Sequence, residues 1–90
     1  MSDSSNPATQ YKDRAILLIS GLGQQDAITK AVEILKTYQL RIAEQQEISM
    51  AGRLIACFML ELDPAHIDAI GDELLASMKP LGLDVAIDQL

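Results

Sequence analysis

The 90-residue chain has a single cysteine, a single histidine, one phenylalanine and two tyrosines, and it has no tryptophan. The lone thiol, Cys57, excludes an intrachain disulfide framework and leaves too few thiolates for a structural zinc site, so a reducing, cytoplasmic setting is expected. Basic side chains are also scarce. Seven Lys and Arg stand against thirteen Asp and Glu, giving a formal net charge of −6, which argues against nucleic acid as a partner because a phosphate backbone needs clustered cations. No apolar run approaches the roughly 20 residues of a membrane span, so no membrane partner is expected. Met1 to Asp13 is Ser-, Asn- and Gln-rich without the apolar centre of a secretory signal, and reads as a disordered N-terminal tail before one domain spanning 14–90. Catalytic signatures are missing too. There is neither a Gly-x-Ser-x-Gly elbow nor a Walker Gly-Lys-Ser/Thr, and Ser20 and Ser49 have no histidine nearby in sequence. No catalytic residue, metal site or cofactor is therefore assigned.

What is present is a 49% hydrophobic chain with clear periodicities. Ala15-Ile16-Leu17-Leu18-Ile19 is an unbroken apolar run of strand length that closes on Gly21-Leu22-Gly23, a turn signal. From Asp26 to about Tyr38 the apolar Ile28, Ala31, Val32 and Leu35 recur at helical spacing, leaving Lys30, Glu33 and Lys36 for the wet face. Arg41 to Met50 mixes Ile42, Ile48 and Met50 with Glu44, Gln45, Gln46 and Glu47, which suits an edge strand. Ala51-Gly52 makes a hairpin, and Leu54 to Leu62 is apolar enough for a central strand. Asp63-Pro64 is a helix start, and the following stripe Ile67, Ile70, Leu74, Met78 runs to a stop at Lys79-Pro80-Leu81-Gly82. Gly71 lies beside that stripe, where a close approach to the sheet is expected. Leu83 to Asp88 alternates Leu83, Val85 and Ile87 with Asp84, Ala86 and Asp88, as a half-exposed edge strand does.

The order β-α-β-β-α-β implies an α+β, ferredoxin-like sandwich: a four-stranded antiparallel sheet, order 4-1-3-2, with both helices on one face. The two central strands are apolar at odd and even positions alike. The face away from the helices must then also show apolar side chains, and such a face implies a second chain or an adjoining domain as partner.

Side chains with chemistry to offer are few. Gly21-Leu22-Gly23 could bring backbone N–H groups to an anion at a helix N-terminus or could be a plain tight turn. A dinucleotide fingerprint would want a glycine where Asp26 stands, and a parallel sheet. Cys57 reads as a small hydrophobe and His66 as a solvated surface group. The same element order serves RNA recognition modules, acylphosphatases and copper chaperones. Here strands one and three carry Phe58 as their one aromatic, no Cys-x-x-Cys exists, and Gln24 and Gln25 occupy the loop where an acylphosphatase has an arginine.

The strand Ala15 to Gly21, the helix segment Ala31-Val32-Glu33-Ile34-Leu35, the strand Gly52 to Ala56 and the stretch Leu81-Gly82-Leu83-Asp84-Val85 together resemble an ACT domain. The resemblance is greatest to the N-terminal ACT domain of bacterial phosphoserine phosphatases. It implies a regulatory module of amino-acid metabolism that binds a small amino acid such as serine and forms a homodimer. The ligand would lie at Ser20, Gly21, Leu22, Gly23, Gln24, Gln25 and Asp26. The family loop Gly-x-Asp-x-x-Gly is met only at Gly21, since Gly23 stands where the acid is usual and Asp26 where the second glycine is usual. In phosphoserine phosphatases the nucleophile motif Asp-x-Asp-x-Thr sits in a downstream domain, and these residues do not contain it. The implied alternatives are the regulatory piece of such a hydrolase, which the end of the chain directly after the fourth strand fits, a free-standing ACT protein, or a degenerate domain kept only for dimerisation.

Overall fold

The computed structural model describes residues 13–22 and 26–90. Met1 to Lys12, most of the predicted tail, and Gly23, Gln24 and Gln25 of the predicted loop lie outside the described residues. The elements follow the predicted order: β1 (Asp13–Leu22), α1 (Asp26–Leu35), β2 (Leu40–Met50), β3 (Arg53–Leu62), α2 (Ile67–Met78) and β4 (Leu83–Gln89). They form a four-stranded sheet in the order β2-β3-β1-β4, with antiparallel pairing throughout. This is the ferredoxin-like sandwich expected from the sequence.

Strand alternation explains the core. The odd residues Ala15, Leu17 and Ile19 of β1 and the even residues Leu54, Ala56, Phe58, Leu60 and Leu62 of β3 point to one face. They join Ala27, Ile28, Ala31 and Leu35 of α1 and Ile70, Leu74 and Met78 of α2 in a single buried cluster, so both helices cover that one face. No buried polar side chain interrupts the cluster among the described residues, which spares it the desolvation cost of an unpaired group. The approach of α2 to β4 is tight at Gly71: a Cβ there would stand 3.1 Å from Cγ2 of Ile87, which would have to give by a few tenths of an ångström.

The element boundaries show where local chemistry overrides pattern. β1 begins at Asp13, inside the predicted tail, and continues through Gly21 and Leu22, which pair with Leu54 and Arg53 rather than turning. α1 ends at Leu35, short of Tyr38, because the Thr37 and Tyr38 N–H groups bond back to the carbonyls of Ile34 and Leu35 at 3.0 and 3.1 Å and tighten the last turn. Tyr38 then donates its hydroxyl to Glu73 of α2 and meets the His66 ring edge-on, with centroids 6.0 Å apart. His66 is accordingly half-buried in the seam between the helices, not a solvated surface group. Accepting that bond, Glu73 favours the protonated phenol, and together with some desolvation and the carboxylate charge it raises the Tyr38 pKa. Asp63 caps as expected, its Oδ1 accepting from the Ala65 N–H at 2.9 Å. A single 3-10 turn, Pro64–His66, precedes α2. The β2–β3 hairpin turns through Ala51 and Gly52, both at positive φ, 54° and 76°, as a two-residue turn matched to strand twist requires. β2 carries a bulge between Ile42 and Glu44, so that Gln45 and Glu47 share the helix-side face with Leu40 and Ile42. No described helix is long and apolar enough to cross a membrane.

Candidate functional site

The residues expected to hold a ligand converge on one end of the sheet, where β1 runs out. Ser20 is half-buried on the face away from the helices, between Ile55 of β3 and Asp84 of β4 in register. Gly21 points its missing side chain the other way, between Leu54 and Leu83. Its φ of 145° and its surroundings leave room for nothing larger, since a Cβ would meet the Gly82 carbonyl oxygen at 2.5 Å. Gly82, at φ 83°, reciprocates: a Cβ there would stand 2.8 Å from the Leu22 oxygen. The two glycines let the end of β1 and the α2–β4 turn pass with backbone against backbone. Leu22 is 60% exposed. Asp26 opens α1 with its carboxylate in solvent, and the buried Ala27 and Ile28 seat that helix start on the core.

Ser20, Gly21, Leu22 and Asp26 are thus placed at the same end, while Gly23, Gln24 and Gln25 lie outside the described residues. The chemistry available there is a hydroxyl, two carboxylates counting Asp84, and main-chain groups. Ser20 and Asp84 lie on the face away from the helices, whereas Asp26 opens α1 on the helix side. Among the described residues no group of His, Cys, Asp or Glu is arranged to hold a metal.

Two depressions flank the bulged strand, and the sequence reading did not anticipate either. One, of about 480 Å³, lies between α1 and β2, with Ile28 and Val32 as its apolar floor and Thr29, Glu33, Lys36, Gln45 and Glu47 around it. The other, of about 190 Å³, lies on the open face of the sheet, among Ile16, Glu44, Gln45, Gln46, Cys57 and Met59. The signal for the first was present in the run Glu44 to Glu47, whose polar residues cannot draw a helix down onto the strand. What hid it was the bulge, which decides the faces on which those residues fall.

The open face itself is the larger feature. It presents Ile16, Leu18 and Ser20 of β1 beside Ile55, Cys57 and Met59 of β3. Leu18, Leu22, Ile48, Met50 and Ile55, all on this face, are 38 to 72% exposed. One end of the face is closed by the ion pair of Arg41 with Glu61, at 2.6 Å.

No protein-family model matches the chain, and no curated protein matches it in sequence. Solved structures do match it in shape. An ACT domain protein from Streptococcus pneumoniae superposes with a TM-score of 0.67 at 16% identity, over 86% of this chain and 89% of that one. A formyltetrahydrofolate deformylase from Burkholderia mallei gives 0.75 at 14% identity over 84% of this chain, which spans only 28% of that enzyme. The ACT domain of a GTP pyrophosphokinase from Chlorobium tepidum gives 0.66 at 15% identity, over 88% of this chain and all of that domain. At such identities the likeness establishes architecture, and in architecture this chain is folded as ACT domains are.

Proposed function

We propose that this chain is a regulatory module that senses a small amino acid at the Ser20 to Asp26 end of β1 and acts through association with another chain or domain. The observation that carries the reading is the likeness in fold to an ACT domain protein and to the ACT domain of an enzyme over nearly all of the described residues. Ser20 and Asp84, register partners where β1 ends, and Asp26 at the start of α1 supply polar groups suited to a zwitterion. Serine is the first ligand to try, and a phosphoserine phosphatase is the parent enzyme proposed for a module of this kind. Isothermal titration with serine, glycine and other small amino acids tests the reading. Heat on binding that is lost in Asp26→Ala is expected, and flat traces across the series overturn it.

A second reading is favoured by one observation: the contact of Gly21 with Gly82 accounts for the glycine without any ligand. Under it the domain is retained for association alone. It predicts flat titrations together with an intact oligomer in sedimentation, so the two readings separate in a single pair of measurements.

A further inference from the structure

We propose that the open face of the sheet binds the open face of a second copy, with a two-fold axis that runs across the strands through Cys57. The outward residues of β3 are, in order, Arg53, Ile55, Cys57, Met59 and Glu61. Reversed against itself, this series is complementary along β3: Arg53 meets Glu61 of the second copy at both ends, sharing that carboxylate with the Arg41 already paired to it, Ile55 meets Met59, and Cys57 lies on the axis. Leu18, the register partner of Cys57 on β1, also falls on the axis against its own counterpart. Face-to-face sheets lie about 10 Å apart with their strands nearly aligned, the spacing at which such rows interdigitate.

Shape agrees with charge. Ile55 is a 44% exposed knob, and the 190 Å³ depression beside Met59 and Cys57 is the hollow that this axis sets opposite it. Association by the sheet edges is less well served. An antiparallel β4–β4 pair centred on Ala86 would set Asp84 against Asp88, and the bulge after Ile42 breaks the regular edge of β2. The proposed axis leaves Asp84 facing Asp88 too, but at the solvent rim, where screening makes a like-charge pair cheap. The other two-fold available to this face, parallel to the strands, pairs Glu61 with Arg14 as the proposed axis pairs it with Arg53, but it sets the Ile55 knob over Ser20 instead of over the hollow beside Met59.

The inference does not depend on ligand binding. Sedimentation equilibrium on the whole chain tests it, with a dimer expected. Arg53→Glu should weaken that dimer about tenfold or more, Arg53→Glu with Glu61→Lys should restore it to within a few-fold, and Arg14→Glu should change it by no more than a few-fold. Ile55→Asp should yield a monomer with its thermal melt retained, which separates lost association from lost folding. A monomer at about 100 µM, far above the dissociation constant of a specific complex, overturns the proposal. So does a dimer indifferent to Arg53→Glu, a double variant as weak as the single one, or as great a weakening by Arg14→Glu instead.

Discussion

The two faces of the sheet are built from the same strands and nearly the same residue types, yet only one is finished. On the helix side, Leu17, Ile19, Phe58 and Leu60 are fully buried. On the other side, Leu18 and Ile55 of the same two strands remain 38% and 44% exposed. A residue's place in the fold is therefore set less by its hydrophobicity than by what lies above it. Burial is worth roughly 25 cal/mol per Å² of apolar area, so the covered face holds the monomer together, and the open face keeps only part of its apolar driving force for a partner.

Substitutions on the two faces of β3 are the sharpest way to break that contrast. Phe58→Ala should cost about 3–5 kcal/mol through the cavity it leaves, as read by urea denaturation. Ile55→Ala, three positions earlier on the opposite face, should cost under about 1 kcal/mol at concentrations where the chain is dilute. Equal losses would show that the open face supports the monomer after all. Gly21→Ala comes next in size. A Cβ 2.5 Å from a main-chain oxygen, at a φ of 145°, has no flexible neighbour to displace, and a loss above about 2 kcal/mol is expected in the same assay. Ala51→Gly should act in the opposite direction, gaining about 1 kcal/mol by relieving a left-handed alanine in a turn remote from both faces.

The smallest effect is the alkaline one. Because the folded pKa of Tyr38 is raised above the unfolded value near 10.0, the folded state holds its proton longer. The associated stability is complete below that value and is lost as pH rises through the folded pKa. Melting temperatures of the native chain should therefore fall more steeply above pH 10 than those of Tyr38→Phe, and identical slopes would remove Tyr38 from the account.

Much of this architecture was legible in the residues. Ile28, Ala31 and Leu35 announced α1, Asp63-Pro64 announced the entry to α2, and Gly71 announced the tight approach that Ile87 makes. The sequence was least informative where a distant segment decides the local outcome. Gly21 reads as a turn because glycine usually is one, and only the passage of Gly82 against it explains a glycine kept in a strand. Tyr38 continues the helical spacing, but its bond to Glu73 belongs to a different helix and leaves no local mark. The faces of Gln45 and Glu47 were unreadable for the same reason, since a bulge adds one residue without a signature of its own. Of the candidate site, the sheet-end positions of Ser20, Leu22 and Asp26 could be inferred from the end of the apolar run. Their chemistry could not, because alternation assigns a face and not a ligand.

The bulge at Ala43 has one more consequence, and it concerns the fate of the chain at high concentration. It takes up one residue of β2 without altering the pairing on either side of it, so a chain lacking Ala43 should fold to the same sheet. Its outermost strand would, however, be ruler-straight, with a full row of main-chain donors and acceptors turned to solvent, which is a template for ribbons of indefinite length. The irregularity then acts as a safeguard against fibrils. Deletion of Ala43 should leave the melting curve nearly unchanged while shortening the lag of thioflavin-positive growth, and an unaltered lag would mean that the carboxylates of Glu44 and Glu47 suffice to keep the edge closed.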